Sequence, residues 1–452
     1  MQAFRSQRVV TPQGIRPATI LVEGDEITAL APWANPPAGI TLHDFGNQVI
    51  LPGLVDTHVH INDPGRDWEG FATATKAAAS GGVTTLVDMP LNSLPETLTI
   101  PALEAKRAAA FGNCFVDWAA WGGIVGNHST PDNLAEIPAL ASAGVPGFKV
   151  FLIHSGIDTF AWTDEPRLRQ ALAALKPTGL PLLAHAELAE PILEATSHLT
   201  DSDWRQYPTY LASRPDQSEV AAIELLISLA AEFLAPIHIV HLATAHALPA
   251  IRAARAAGLP ITVETCPHYL HFAAEDIPDG ATLLKCAPPI RNRANQQALW
   301  QALRYGIIDM IVTDHSPCPP GMKRTDTGRF DQAWGGIASL SVALPLIHTE
   351  CLSRGFTLDH IARWMSSAPA SLAGIEHQAG SLEPNREASF IIFDTEAEFT
   401  VTPGKLHYRH PISAYMGETL RGTVQATYLR GKPIYQNGLI SDTPYGHELT
   451  LS

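Results

Sequence analysis

Leu54-Val55-Asp56-Thr57-His58-Val59-His60 is an apolar run that reads as a β-strand and ends in two histidines. On a strand, residues i and i+2 share a face, so His58 and His60 point the same way. Further along, four more short apolar runs end in a residue able to serve a metal site: Gly147-Phe148-Lys149, Leu183-Ala184-His185, Ile239-Val240-His241 and Val312-Thr313-Asp314. A lone histidine is more often a satisfied core residue than a ligand. Two in one His-x-His, followed by an Asp and two more histidines at strand ends, point to a two-metal hydrolase.

The spacing of these runs sets the fold. Eight strand candidates lie between residues 54 and 314: Leu54–His60, Thr84–Met89, Cys114–Trp121, Gly147–Ile153, Leu182–Glu187, Ile237–Leu242, Ile261–Thr265 and Met310–Asp314. Ala-rich, helix-favouring segments such as Glu69–Ser80, Pro101–Ala110 and Glu219–Ala231 separate them. Eight β/α units of this size predict a (β/α)8 TIM barrel, whose chemistry sits at the carboxyl ends of the strands. The six ligand candidates fall at the ends of strands one, four, five, six and eight. The pattern on either side is strand-rich instead: Ile20-Leu21-Val22, a turn at Glu23-Gly24-Asp25, then Ile27–Leu30, and later Phe390–Phe393, Thr423–Leu429 and Pro433–Tyr435. These predict a small discontinuous β domain from residues 1–50 plus 380–452, with the barrel over 51–379.

Composition narrows the partners. Lys+Arg 30 against Asp+Glu 45 gives a net charge of −15, which argues against nucleic acid and anionic membranes and suits solubility. The five cysteines (Cys114, Cys266, Cys286, Cys318 and Cys351) are odd in number and lack a Cys-x-x-Cys pair, as expected of free thiols in a reducing cytoplasm. No apolar h-region follows Arg5 and Arg8, so the start does not read as a secretory signal. The longest apolar stretch, Val220 to Ile237, is broken by Glu224 and Glu232 and reads as an amphipathic helix, not a membrane span.

Some site residues stay open on their chemistry alone. A lysine ammonium has no lone pair, so Lys149 cannot bind a cation as it stands. Either it pairs with a nearby acid, or CO2 converts it to a carbamate that bridges two metals. Asp314 can ligate a metal and take a proton, or cap the segment that follows. His238, three residues before His241, reads as structural, on the opposite strand face. His268 reads as packing or hydrogen bonding below the site, or touching substrate. Ser80-Gly81-Gly82 reads as a helix C-cap, and Trp334-Gly335-Gly336 as a loop over the site.

The chain also resembles a known family. The residues that carry the likeness are Asp56–His60 with Pro64-Gly65-Arg66, Gly81–Thr85, Gly147-Phe148-Lys149, Glu264–Tyr269, Pro288–Arg291 and Asp314–Pro317. Together they look like the cyclic amidohydrolases: dihydroorotases, hydantoinases and allantoinases. Pro64–Gly70, Asp88–Asn92, Lys285–Arg291, Asp314–Pro320, Ala333–Ile337 and Tyr408–Gly417 look most like the allantoinase branch. The resemblance implies two divalent ions, zinc first, with Co, Mn, Fe or Ni compatible. His58, His60 and Asp314 would bind one and His185 and His241 the other, with a CO2-derived carbamate on Lys149 bridging them. It also implies a homotetramer.

The implied activity is hydrolytic opening of allantoin to allantoate in purine breakdown, by a bridging hydroxide with Asp314 as the proton carrier. Dihydroorotases place an arginine where this chain has Asn62, and an asparagine where it has Ala287; both serve a substrate carboxylate that allantoin lacks. Asn62, Asn92, His268, Ala287, Pro288 and Gly336 are the expected substrate contacts. The alternatives are a dihydroorotase or hydantoinase acting on another cyclic amide, and a non-catalytic relative that serves as a scaffold.

Overall fold

The computed structural model describes residues 1–34, 39–126, 132–200 and 202–450. The chain opens with β1 (Gln2–Thr11), β2 (Gly14–Glu23), β3 (Glu26–Pro32), β4 (Thr41–Asp44) and β5 (Val49–Pro52). The barrel strands follow: β6 (Leu54–Val59), β7 (Val83–Asp88), β8 (Asp117–Ala120), its continuation β9 (Gly122–Gly123), β10 (Phe148–Phe151), β11 (Leu182–His185), β12 (Ile237–Ile239), β13 (Ile261–Thr265) and β14 (Met310–Ile311). The chain closes with β15 (Phe390–Thr400), β16 (Thr419–Leu429), β17 (Lys432–Gln436) and β18 (Leu439–Ile440).

Each of the eight expected strand regions carries a strand, β9 lies just past the end of the third, and every ladder among β6 to β14 is parallel. Helices cover the outside, so β6 and β7 are buried along their whole length. That is why they read as nearly unbroken apolar runs. The first strand meets the eighth through a parallel bridge between Val59 and His315. The Asp56 carboxylate reinforces the closure by accepting from the Thr313 N–H at 3.2 Å.

The second sheet has nine strands in the order β18-β17-β16-β15-β5-β1-β2-β3, with β4 beside β1. Its seam is β5 against β15, where Leu51 faces Ile391, so both ends of the chain share one sheet. Phe4, Phe390 and Tyr428 pack at its centre, Phe390 stacked on Tyr428 with ring centroids 4.8 Å apart. The sheet sits against the barrel at Gly82, the left-handed cap (φ 84°) of helix Phe71–Gly81. A Cβ there would meet Ile391 Cδ1 at 2.9 Å, so both the backbone angle and the contact call for glycine.

The stretch Val220–Ile237 is not one helix. Helix Asp216–Phe233 ends at Leu234 (φ 52°), and Ile237 already belongs to β12. No helix among the described residues is long and apolar enough to cross a membrane. All five cysteines are free and buried.

Near the site, the fold depends on one buried ion pair. Lys106, on helix Ile100–Ala110, reaches the Asp88 carboxylate at the end of β7, and both are buried. The other Asp88 oxygen accepts from the Ile61 N–H at 2.7 Å and so fixes the turn after His60. Removing one member strands a buried charge. Lys106→Met should therefore lower the unfolding free energy by about 3–5 kcal/mol, read as a shift of the urea midpoint at unchanged m-value.

Candidate metal centre and active site

Five side chains from four regions of the barrel converge at the carboxyl ends of the strands. His58 Nε2 and His60 Nε2 lie 3.3 and 3.4 Å from Asp314 Oδ1. His185 Nδ1 faces His241 Nε2 at 3.0 Å. Ligand atoms of His58, His241 and Asp314 all fall within 4.8 Å of one another, which joins the two groups. The backbone assists where strands give way to loops: His241 and Asp314 adopt left-handed φ of 37° and 45°, which turns their side chains out of strand alternation.

Burial sets the charge states. It drives His58, His185 and His241 well toward neutral imidazole, the form that carries a free lone pair. Burial would also raise Asp314, but the surrounding imidazoles of His58, His60 and His241 outweigh it and hold the carboxyl ionised, well below its usual range. Ser316 Oγ donates to Asp314 Oδ1 at 3.0 Å.

Lys149 ends up differently from a paired surface lysine. Its Nζ is buried with no hydrogen-bond partner, 5.1 Å from the Phe151 ring centroid. Desolvation lowers it to about 8. A buried amine without a partner is costly. This does not match pairing with a nearby acid.

The group opens into a cavity of about 450 Å³, lined by Asn92, Tyr210, Arg214, Lys285, Ala287 and Trp334 among others. Of the expected substrate contacts, Asn92 and Ala287 face it, and the Asn92 amide nitrogen lies 3.3 Å from His60 Nδ1. Asn62 turns back and donates to the His60 carbonyl at 2.9 Å. His268 is fully buried, neither ring nitrogen has a partner, and it groups with Cys266 and Asp314. The Pro288 carbonyl accepts from the Tyr269 hydroxyl at 2.8 Å. Gly336 packs against Ser316, while its neighbour Gly335 lines the cavity.

Known proteins resemble this chain. The profile of the amidohydrolase family matches residues 49–434. An allantoinase of Streptomyces avermitilis is 47% identical over 99% of this chain and 98% of its own length. An allantoinase of Saccharomyces cerevisiae is 44% identical over 90% of this chain and 88% of its own. Among solved structures, an L-hydantoinase (dihydropyrimidinase) from Arthrobacter aurescens superposes with a TM-score of 0.94 at 28% identity, covering 100% of this chain and 99% of that one. The chain belongs to the amidohydrolase family.

The donor set of this amidohydrolase fits a pair of divalent cations. It supplies four imidazoles, a carboxylate kept ionised, and an amine whose burial lowers it to about 8. Supporting groups that sequence reasoning passed over fit as well. Glu264 accepts from His58 Nδ1, from His238 Nε2 at 2.9 Å and from the His241 N–H at 3.1 Å. His238 therefore does not lie apart from the site. β12 ends at Ile239, strand alternation stops there, and both His238 and the His241 backbone reach one carboxylate. Glu187, two residues past His185, accepts from His185 Nε2 at 2.8 Å and is clamped by Arg214 at 2.5 Å. The signals were a Glu inside the Glu264–Tyr269 stretch and a Glu spaced i+2 from a ligand histidine.

Groups that fix the tautomer of a ligand histidine tune metal affinity. Glu264→Gln should keep the fold by circular dichroism and weaken metal binding about 10–100-fold in competition with a chelating dye.

Proposed function

We propose that this amidohydrolase opens the hydantoin ring of allantoin to give allantoate. The observation that carries the reading is the convergence of His58, His60, His185, His241 and Asp314 with the unpartnered Lys149 amine below one cavity. Relatives named allantoinase, matched over nearly the whole chain, support the choice of ring. The cavity also suits a neutral substrate. Asn62 is turned onto its own backbone, Ala287 offers no polar side chain, and the two cations in the wall are already engaged. Arg214 holds Glu187, and Lys285 donates to the Ala333 carbonyl at 2.6 Å.

In this reading His58, His60 and Asp314 would hold one divalent ion and His185 and His241 the other, and Lys149, converted by CO2 to a carbamate, would supply a further oxygen ligand. Zinc suits the imidazole-rich set, and Co, Mn, Fe or Ni are compatible with it. When bound, the ions supply Lewis acidity and make water nucleophilic near neutral pH. Asp314, held ionised, accepts the proton of the attacking water and delivers it to the ring nitrogen as the C–N bond breaks. The carbonyl carbon becomes a carboxylate, its second water-derived proton passing to solvent, and the nitrogen becomes part of a ureido group, so water is consumed and no other reactant is needed. Ser316 steadies Asp314 through its hydrogen bond, and Glu264 and Glu187 keep the imidazoles aimed. Asn92 and Ala287, with His268, Pro288, Gly336 and Asn62 behind them, shape the substrate pocket.

The reading includes a homotetramer in the cytoplasm, supported by the family resemblance and by five free buried thiols that suit a reducing compartment. It also divides the chain into a barrel over 51–379 and a β domain of 1–50 plus 380–452. The hydantoinase structural relative keeps a second reading in view, hydrolysis of a plain hydantoin, which the choice of substrate decides.

Asp314→Asn on metal-loaded enzyme should remain folded and lose allantoin hydrolysis by at least about 10²-fold, since it removes the proton carrier. Turnover within a few-fold of the wild type would sink the role given to Asp314.

A further inference from the structure

Two lysines, one buried and one half-buried, have no part in the chemistry above. Lys323 closes the short 3-10 turn Pro320–Lys323 and is 4% exposed. Lys285 stands on the opposite side of the same loop, half in the cavity wall. Neither meets a carboxylate; both spend their protons on backbone carbonyls.

Lys323 Nζ donates to the Gly336 carbonyl, to the Trp334 carbonyl at 3.1 Å and to the Lys285 carbonyl at 3.4 Å. Lys285 Nζ donates to the Ala333 carbonyl at 2.6 Å. The backbone closes the knot: the Gly336 N–H donates to the Lys285 carbonyl at 2.9 Å, and the Trp334 N–H to the Met322 carbonyl at 2.8 Å. Ala333, Trp334 and Gly336 are thus held by ammonium groups and not by a sheet or helix. Burial without a counter-ion lowers both amines to about 8. Taking such a cation out of water is expensive, and carbonyls repay it only in a fixed geometry.

What the knot holds is the wall of the active site. Ala333, Trp334 and Gly335 face the cavity together with His58, His60 and Asp314. The Trp334 ring stands edge-on to Trp68, centroids 4.9 Å apart, and its far edge comes within 3.5 Å of where a Cβ on Gly156 would sit. The indole therefore bridges the loop after β10 and the segment after β6, and spans one side of the opening. The backbone has no slack at Gly336 (φ 154°), where a Cβ would lie 2.6 Å from Ser316 Cβ.

We propose that Lys323, backed by Lys285, is a positioning residue that fixes the Ala333–Gly336 wall, and that through Trp334 this wall sets which ring substituent the site accepts. The ammonium groups act at a distance from the reacting atoms. They decide where the indole and the neighbouring backbone stand, and so how a bound ring and its side group are oriented. The inference rests on the ring-opening reading given above.

The test compares wild type, Lys323→Met, Lys323→Ala and Trp334→Ala, each loaded with zinc and bicarbonate, on allantoin and on unsubstituted hydantoin. For Lys323→Met the expected result is a loss of 10–100-fold in kcat/KM on allantoin, carried mainly by KM, with metal content equal to wild type. Preference for allantoin over hydantoin should shrink by a similar factor, and Trp334→Ala should shrink it too. Added ethylammonium should recover part of the loss in Lys323→Ala and have no effect on wild type.

Kinetics within two-fold of wild type, or a loss that tracks loss of metal, would overturn the proposal. If the lysine variants do not fold, Trp334→Ala decides, and unchanged preference there overturns it. If wild type opens hydantoin and not allantoin, the choice of allantoin as substrate falls first, and the same comparison on hydantoin still judges the wall.

Discussion

A single buried carboxylate organises the catalytic end of this barrel. Glu264, on β13, accepts from His58 Nδ1, from His238 Nε2 and from the His241 backbone, and so ties β6 and β12 to β13. Burial would raise its pKa; the facing imidazoles hold it ionised far below its usual range. Three donors around one fully desolvated acid leave it no alternative arrangement, and that fixes the ring of His58 and the backbone that carries His241. Glu187 does the same for His185, with Arg214 supplying the charge that keeps it ionised. Two of the imidazoles, His58 and His185, thus have their far nitrogens held by buried carboxylates, and the Asn92 amide lies against the Nδ1 of a third, His60.

Three buried lysines in the same barrel show how desolvation divides one side chain among different tasks. Lys106 has a carboxylate, Asp88, and is structural. Lys323 has only carbonyls, and holds a loop. Lys149 has no hydrogen-bond partner, in the middle of the ligand cluster. A buried ammonium with nothing to donate to is the least stable of the three.

The barrel was legible because parallel strands buried on both faces leave plain apolar runs, and their ends carried His58, His60, His185, His241 and Asp314 in view. The sheet formed by both chain ends was legible from alternation near Ile20 and Ile391. Less visible were features that depend on where a chain turns. His238 read as structural, with no sign that it would share the Glu264 carboxylate with His58 and the His241 backbone. Val220–Ile237 looked like one helix because its apolar run crosses the turn at Leu234. Glu264, Glu187, Lys285 and Lys323 carried no pattern of their own, since an ionisable residue buried against partners distant in sequence leaves no periodic trace. Asn62 was legible as a missing arginine, but not as a side chain turned onto its own backbone.

The most direct test of the account is a side-by-side measurement of kcat/KM for allantoin, dihydroorotate and unsubstituted hydantoin on enzyme loaded with divalent metal and bicarbonate. The account predicts rapid opening of allantoin with the other two rings far behind. Preference for dihydroorotate would contradict it, because a cation assigned here to Glu187 or to the Ala333 carbonyl would then be gripping a substrate carboxylate. Failure to open any of the three would contradict the assignment of the cluster as a catalytic centre.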